Sequence, residues 1–191
     1  MELPRLLLLT DRSQLRLGRS LVRTVAECVE AGATHVVLRE LDETESARAA
    51  LAAALVEVGA TVIAAHTPLP GAVGLHLPAG RQVLTCRQAS GAAWGRSCHS
   101  PEAVSEAAEE RAAWATLSPY AATDSKPGYG PALPPDAYAG HPIPVFALGG
   151  ITPANAAEAR RKGAHGVAVM GAVMRAEEPA AVVRALLEAV R

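Results

Sequence analysis

Pro144-Val-Phe-Ala-Leu-Gly-Gly-Ile-Thr-Pro153, followed after a helical stretch by Gly166-Val-Ala-Val-Met-Gly-Ala-Val173, decides how this chain is read. Each half is a short aliphatic run that ends in a glycine turn and opens onto a helical pattern. Two successive strands therefore deliver backbone N–H groups to one rim, which is how a phosphate is held. In a (β/α)₈ barrel the phosphate site is frequently built from the loops after the last two strands and the N-terminus of a short helix, and these are the last two strand patterns of the chain. A lone Gly-Gly pair does no more than turn a chain. Two such turns in tandem at the end of a β/α series point to an anion.

Outward from that stretch the same unit repeats. Aliphatic strand patterns recur near 5–10, 34–38, 61–65, 73–77, 93–97, 113–117, 144–148 and 166–169, the number a barrel needs. Between them lie helical stretches over 20–31, 44–58, 101–111, 153–162 and 179–190, several opened by Ser, Thr or Pro. Pro68–Ala72 can hardly hold a helix, and 131–139 holds only a short one. The fold expected is α/β, a single compact (β/α)₈ TIM barrel spanning 1–191 with some shortened helices. A chain of 191 residues, 50% hydrophobic but only 3% aromatic, suits one such core of aliphatic parallel strands under Ala-rich helices.

Composition excludes several classes of function. The formal net charge is −1 and no basic run is interleaved with aromatics, so nothing marks a nucleic-acid surface. Leu6–Leu9 is too short for a signal-peptide core, and no run approaches the ~20 residues of a membrane span, so a cytoplasmic protein is expected. Cys28, Cys86 and Cys98 are odd in number and lack metal-ligand spacing, which favours buried thiols over disulfides or zinc.

Chemistry in a barrel sits where strands end. Here those ends are polar: Thr10-Asp11-Arg12, Arg39-Glu40, His66-Thr67, His76, Ser97-Cys98-His99-Ser100 and Ser118-Pro119-Tyr120. Each has a plainer use. Arg39 can pair with Glu40 or a neighbouring strand, and Ser100 before Pro101 reads as a helix cap, leaving His99 as the open candidate. The loop 121–131 carries Thr123, Ser125 and Lys126 beside Gly and Pro residues, a set of hydroxyls and one ammonium suited to a phosphate or carboxylate.

The order of these pieces resembles the superfamily of thiamine phosphate synthase and its sister branch, the thiazole tautomerases. The matching segments are Leu8-Leu-Thr-Asp11, Val37-Leu-Arg-Glu40, Leu75-His-Leu-Pro78, Gly95-Arg-Ser-Cys-His-Ser100, Thr123-Asp-Ser-Lys126, Ala147-Leu-Gly-Gly-Ile151 and Val167-Ala-Val-Met-Gly-Ala172. The resemblance implies a barrel that binds a thiazole phosphate. It puts the phosphate on Gly149, Gly150 and the turn Met170, Gly171, Ala172, with Thr123, Ser125 and Lys126 near the ring and Arg39 and Glu40 among the substrate contacts. It also implies a homodimer.

The branches differ in what they need. The synthases expel pyrophosphate and hold Mg²⁺ on carboxylates. Where they carry acidic ligands, after strands three and four, this chain has Ala64-Ala-His-Thr-Pro68 and Arg81, and Leu41 stands where a lysine is usual. The Leu-Pro-Ala-Gly turn and the Gly-Arg-Ser-Cys-His-Ser segment resemble instead the tautomerases, which aromatise a carboxythiazole phosphate by moving a proton, with no metal or organic cofactor. That reaction asks for a phosphate anchor, a cation such as Arg39 or Lys126 for the carboxylate, and a general base and acid, for which histidine is the natural type. The tautomerase pattern places a histidine at the end of strand six, where this chain has Ser118-Pro119. His66 is the first substitute, followed by His99 and His76. The alternatives are a thiamine phosphate synthase with Mg²⁺ on Asp11, Glu40 or Asp124, and a non-catalytic binder of thiazole phosphate.

Overall fold

The computed structural model of the chain describes residues 2–16, 18–80, 92–122 and 130–191. Thr123, Ser125 and Lys126, with Asp124, Arg81 and Cys86, lie outside the described residues. Strands β1 (Leu6–Leu9), β2 (His35–Leu38), β3 (Thr61–Ala65), β4 (Gly74–Leu77), β5 (Ala93–Cys98), β6 (Trp114–Leu117), β7 (Val145–Leu148) and β8 (Gly166–Val169) pair in sequence order and close on themselves as a parallel barrel. β1 and β8 complete the ring, Leu7 opposite Ala168. Strands buried end to end, such as Leu6–Leu9 and Gly166–Val169, are what a parallel sheet covered on both faces requires.

Several of the covering helices start where capping residues stand. The covering helices are α1 (Leu21–Glu30), α2 (Glu45–Glu57), α3 (Pro101–Glu109), α4 (Pro153–Arg161), the one-turn α5 (Gly171–Met174) and α6 (Pro179–Ala189). Thr44 accepts from Ala47 N, and Ser100 from Ala103 N, so Ser100 is a cap here. Between β6 and β7 the described residues hold a short 3₁₀ turn, Pro135–Tyr138, and no helix is described over 68–72. The sequence missed a second 3₁₀ turn, Arg12–Gln14, which caps the rim after β1 on the Asp11 side chain.

The barrel interior is narrow and filled. Leu7, Val37, Ile63, Phe146 and Ala168 pack there with Trp114, the largest fully buried side chain. Gly95 makes the space: a Cβ on it would lie 2.1 Å from the indole. Above this layer, Ser97 on β5 lies opposite Thr116 on β6, and the His76 ring on β4 reaches both side chains. The interior thus changes from apolar to polar near the C-terminal mouth. Cys28 and Cys98 are buried outside the barrel wall, which pushes their thiols up to about 12 and about 11.

Candidate active site

A cleft of about 630 Å³ opens at the C-terminal mouth, lined by residues from the ends of all eight strands. One side is made of main chain. Gly149 and Gly150 have φ of 94° and 65°, and a Cβ on Gly150 would lie 2.4 Å from the carbonyl oxygen of Ala122. Only glycine fits that turn. It is held from two directions: Ala121 N donates to Gly149 O (3.0 Å), and Asn155 Nδ2 to Gly150 O (2.9 Å). With both carbonyls engaged away from the cleft, the N–H groups of Gly150, Ile151, Gly171 and Ala172 donate to no carbonyl among the described residues. Met170, Gly171 and Ala172 face them across the same cleft at the start of α5. Two backbone turns thus meet at one side of the cleft, an arrangement from which an anion cradle can be built.

The sequence did not single out Arg175. Its guanidinium lies against Gly171, where an added Cβ would fall 2.4 Å from Nη1. The spacing could have shown it, because Arg175 follows Gly171 by one helical turn and so shares its face. Gln14 links it onward: Gln14 Oε1 accepts from Arg175 while Gln14 Nε2 donates to Asp11 Oδ2 (2.6 Å). Burial works against the Asp11 carboxylate, but bonds from Ser13 and Gln14, with the Arg39 charge, hold it below the usual range.

The other side is made of side chains. Arg39, His66, His76 and His99 all line the cleft. Arg39 Nη1 rests on Met170 Sδ (2.8 Å), and its guanidinium has no carboxylate partner at salt-bridge distance among the described residues. Glu40, expected beside it as a substrate contact, is not brought to the cleft. Its φ of 27° turns the chain, and its buried carboxylate accepts from Arg12 N (3.2 Å) and Arg12 Nη1 (3.1 Å). Arg12 in turn pairs with Asp42 and Glu43, which keeps that acidic cluster on the outer rim.

His66 lies just beyond β3 with φ of 64°. Thr67 N donates to Ala65 O (2.8 Å) across it, a tight three-residue turn of a kind that strains a β-substituted residue. His66 N also donates to His76 O (2.9 Å). The His76 ring is buried, with Nε2 3.0 Å from Ser97 Oγ and 3.3 Å from Thr116 Oγ1, and it stacks over Trp114. Burial, helped by the charges of His66 and Arg39, lowers its pKa to about 3. His76 is therefore neutral at any ordinary pH. His99 Nδ1 lies 3.2 Å from Ser118 O and 3.1 Å from Ser118 Oγ. The strand-six position where the resemblance puts a histidine is held by Pro119, and the imidazole of His99, just beyond β5, leans on Ser118 beside it.

Of the carboxylates that could hold the magnesium the synthase branch implies, Asp11 and Glu40 are described and Asp124 lies outside the described residues. No group of three or more His, Cys, Asp and Glu among the described residues could hold a metal ion, and the carboxylates of Asp11 and Glu40 are spent on Ser13, Gln14 and Arg12.

Residues 6–173 match the family of thiamine monophosphate synthase. Thiamine-phosphate synthase of Roseiflexus castenholzii is 34% identical, over 89% of this chain and 81% of that protein. Thiamine-phosphate synthase of Salinispora tropica is 34% identical, over 94% of this chain and 77% of its own. Among solved structures, thiamine phosphate pyrophosphorylase from Pyrococcus furiosus superposes with a TM-score of 0.85 at 24% identity, covering 97% of this chain and 95% of that one. That likeness concerns the fold. No helix among the described residues is long and apolar enough to cross a membrane.

Proposed function

We propose that this chain, which belongs to the thiamine monophosphate synthase family, binds a carboxylated thiazole phosphate in the cleft and aromatises its ring by proton transfer. The observation that carries this reading is the convergence of three imidazoles and one arginine opposite a backbone anion cradle, with the nearby carboxylates already engaged. A proton leaves the tetrahedral ring carbon to a general base, and a general acid returns one at the far end of the unsaturated system. Nothing is oxidised or reduced.

Roles follow from environment. The N–H groups around Gly149, Gly150, Met170, Gly171 and Ala172 hold the phosphate, with Arg175 beside them. Arg39 takes the substrate carboxylate and steadies the charge that develops as the proton leaves. Thr123, Ser125 and Lys126 join the ring and its substituents, as the resemblance implies. His66 is the base. His99 is the acid: Ser118 O and Oγ, 3.2 and 3.1 Å from its Nδ1, hold the imidazole at the rim of the cleft. His76, neutral with a pKa of about 3, is too weak a base and too reluctant an acid, and orients the ring by hydrogen bonding.

A second reading is thiamine phosphate synthesis, favoured by the names of relatives that align along nearly the whole chain. One experiment separates the two. The purified protein, in EDTA, is given the non-aromatic carboxythiazole phosphate, and the ultraviolet change on aromatisation is followed. A second portion receives Mg²⁺, thiazole phosphate and the pyrimidine pyrophosphate. Conversion in EDTA, with no thiamine phosphate in the second portion, is the expected result. Thiamine phosphate formed only with Mg²⁺ overturns it, and inactivity in both leaves a binding protein.

A further inference from the structure

Arg48 is a buried cation in an otherwise alanine-rich helix. It shares the inward face of α2 with Ala52 and Leu55, and it is 5% exposed. Burying a guanidinium without a carboxylate is costly, and a methionine or leucine would pack that face more cheaply. No salt bridge at Arg48 is found among the described residues; Glu45 and Glu40 act on it only at a distance. Its donors go elsewhere: Nη1 to Thr67 Oγ1 and Nη2 to Ala65 O, both at 2.7 Å.

Ala65 and Thr67 are the residues on either side of His66. The fork of one guanidinium therefore clamps both ends of the three-residue turn whose centre sits at φ 64°. A turn in that region persists only where its surroundings over-determine it. The planar fork supplies that constraint in a way a lysine cannot, since a point charge on a flexible stem fixes neither direction nor plane.

We propose that Arg48 is a positioning residue that holds the His66 imidazole at its place on the cleft rim by clamping Ala65 and Thr67 from behind the barrel wall. This rests on the reading of His66 as the base. Arg48 itself does not line the cleft, so it acts on the reaction only through the turn.

The test uses Arg48→Met, Arg48→Lys and Thr67→Val in the full chain. Two readouts are taken, the NMR titration of the His66 ring in the ligand-free protein and the rate of aromatisation in the parent and His66→Ala backgrounds. Arg48→Met should raise the His66 midpoint by ~0.5 pH unit or more, because a cation beside the turn disfavours the imidazolium. His76, whose ring feels the His66 charge, and Arg39, which lines the same cleft, are the same in both proteins. It should lower kcat by ~10-fold or more with KM within about three-fold, and Arg48→Lys should not restore it. In the His66→Ala background the same change should cost nothing further. An equal loss in both backgrounds, or an unmoved titration, overturns the proposal. Should the protein prove not to aromatise the substrate, the titration alone decides. Should Arg48→Met fail to fold, Thr67→Val decides in its place: it removes one prong and keeps the cation, so the His66 ring resonances should move from their parental positions, and resonances that coincide with the parent's overturn the clamp.

Discussion

The two rims of the cleft are built from different materials. The β7–β8 rim is main chain: glycine turns whose carbonyls are tied back by Ala121 and Asn155, leaving N–H groups toward the cleft. The β2–β5 rim is side chain: Arg39, His66, His76 and His99, each sent in from a different strand end. Backbone donors come with the fold and cannot titrate, which suits an anchor. Imidazoles take their properties from neighbours: the same residue type is buried and neutral with a pKa of about 3 at His76, and sits at the rim at His66 and His99. The proposed function assigns binding and proton transfer to parts that can be broken separately.

The largest effect should come from the backbone side. Gly150→Ala pushes a Cβ against the Ala122 carbonyl at a φ that disfavours side chains, so the turn must move. A loss of kcat/KM beyond ~10²-fold, carried by KM, is expected, together with weaker inorganic phosphate binding by calorimetry. His66→Ala sharpens the contrast from the other side: steady-state kinetics should show ~10²-fold lower kcat with KM nearly unchanged. Arg39→Gln comes next, because one charge-assisted contact to a carboxylate is worth roughly ten-fold in binding. It should raise KM for the carboxylated substrate and leave phosphate affinity alone.

The smallest effect at neutral pH belongs to His76→Gln, and it reads on stability instead. The folded midpoint of about 3 lies below the ordinary 6.5, so as pH falls the unfolded chain takes up the proton first. The stability of the neutral buried ring is fully present above about pH 6.5 and is lost as pH falls toward about 3. Thermal melts across that window should fall less steeply in His76→Gln than in the parent.

These two rims also differ in how far they can be read from sequence. Gly149-Gly150 and Gly171 announce themselves, because a glycine turn after an aliphatic run is a local pattern, and the strand runs they close lie within a residue or two of the observed ones. The side-chain rim is not local. Glu40 stands next to Arg39, yet a φ of 27° turns it out to Arg12, a distinction no spacing encodes. Arg175, Gln14 and Asp11 join across the whole length of the chain, and Arg48 reaches the turn at His66 from the middle of an unremarked helix. His99 reaches Ser118, next to the Pro119 that stands where a histidine is expected at the end of β6, a contact visible only once β5 and β6 are side by side.

The division between rims is tested most directly by substrate deuterated at the tetrahedral ring carbon, incubated in EDTA with the parent and with His66→Ala. The account predicts that the parent releases the deuterium to water as the aromatic product forms, and that His66→Ala binds the same substrate with similar affinity but retains the label. Deuterium loss undiminished in His66→Ala, or product that appears only when Mg²⁺ and the pyrimidine pyrophosphate are supplied, would contradict it.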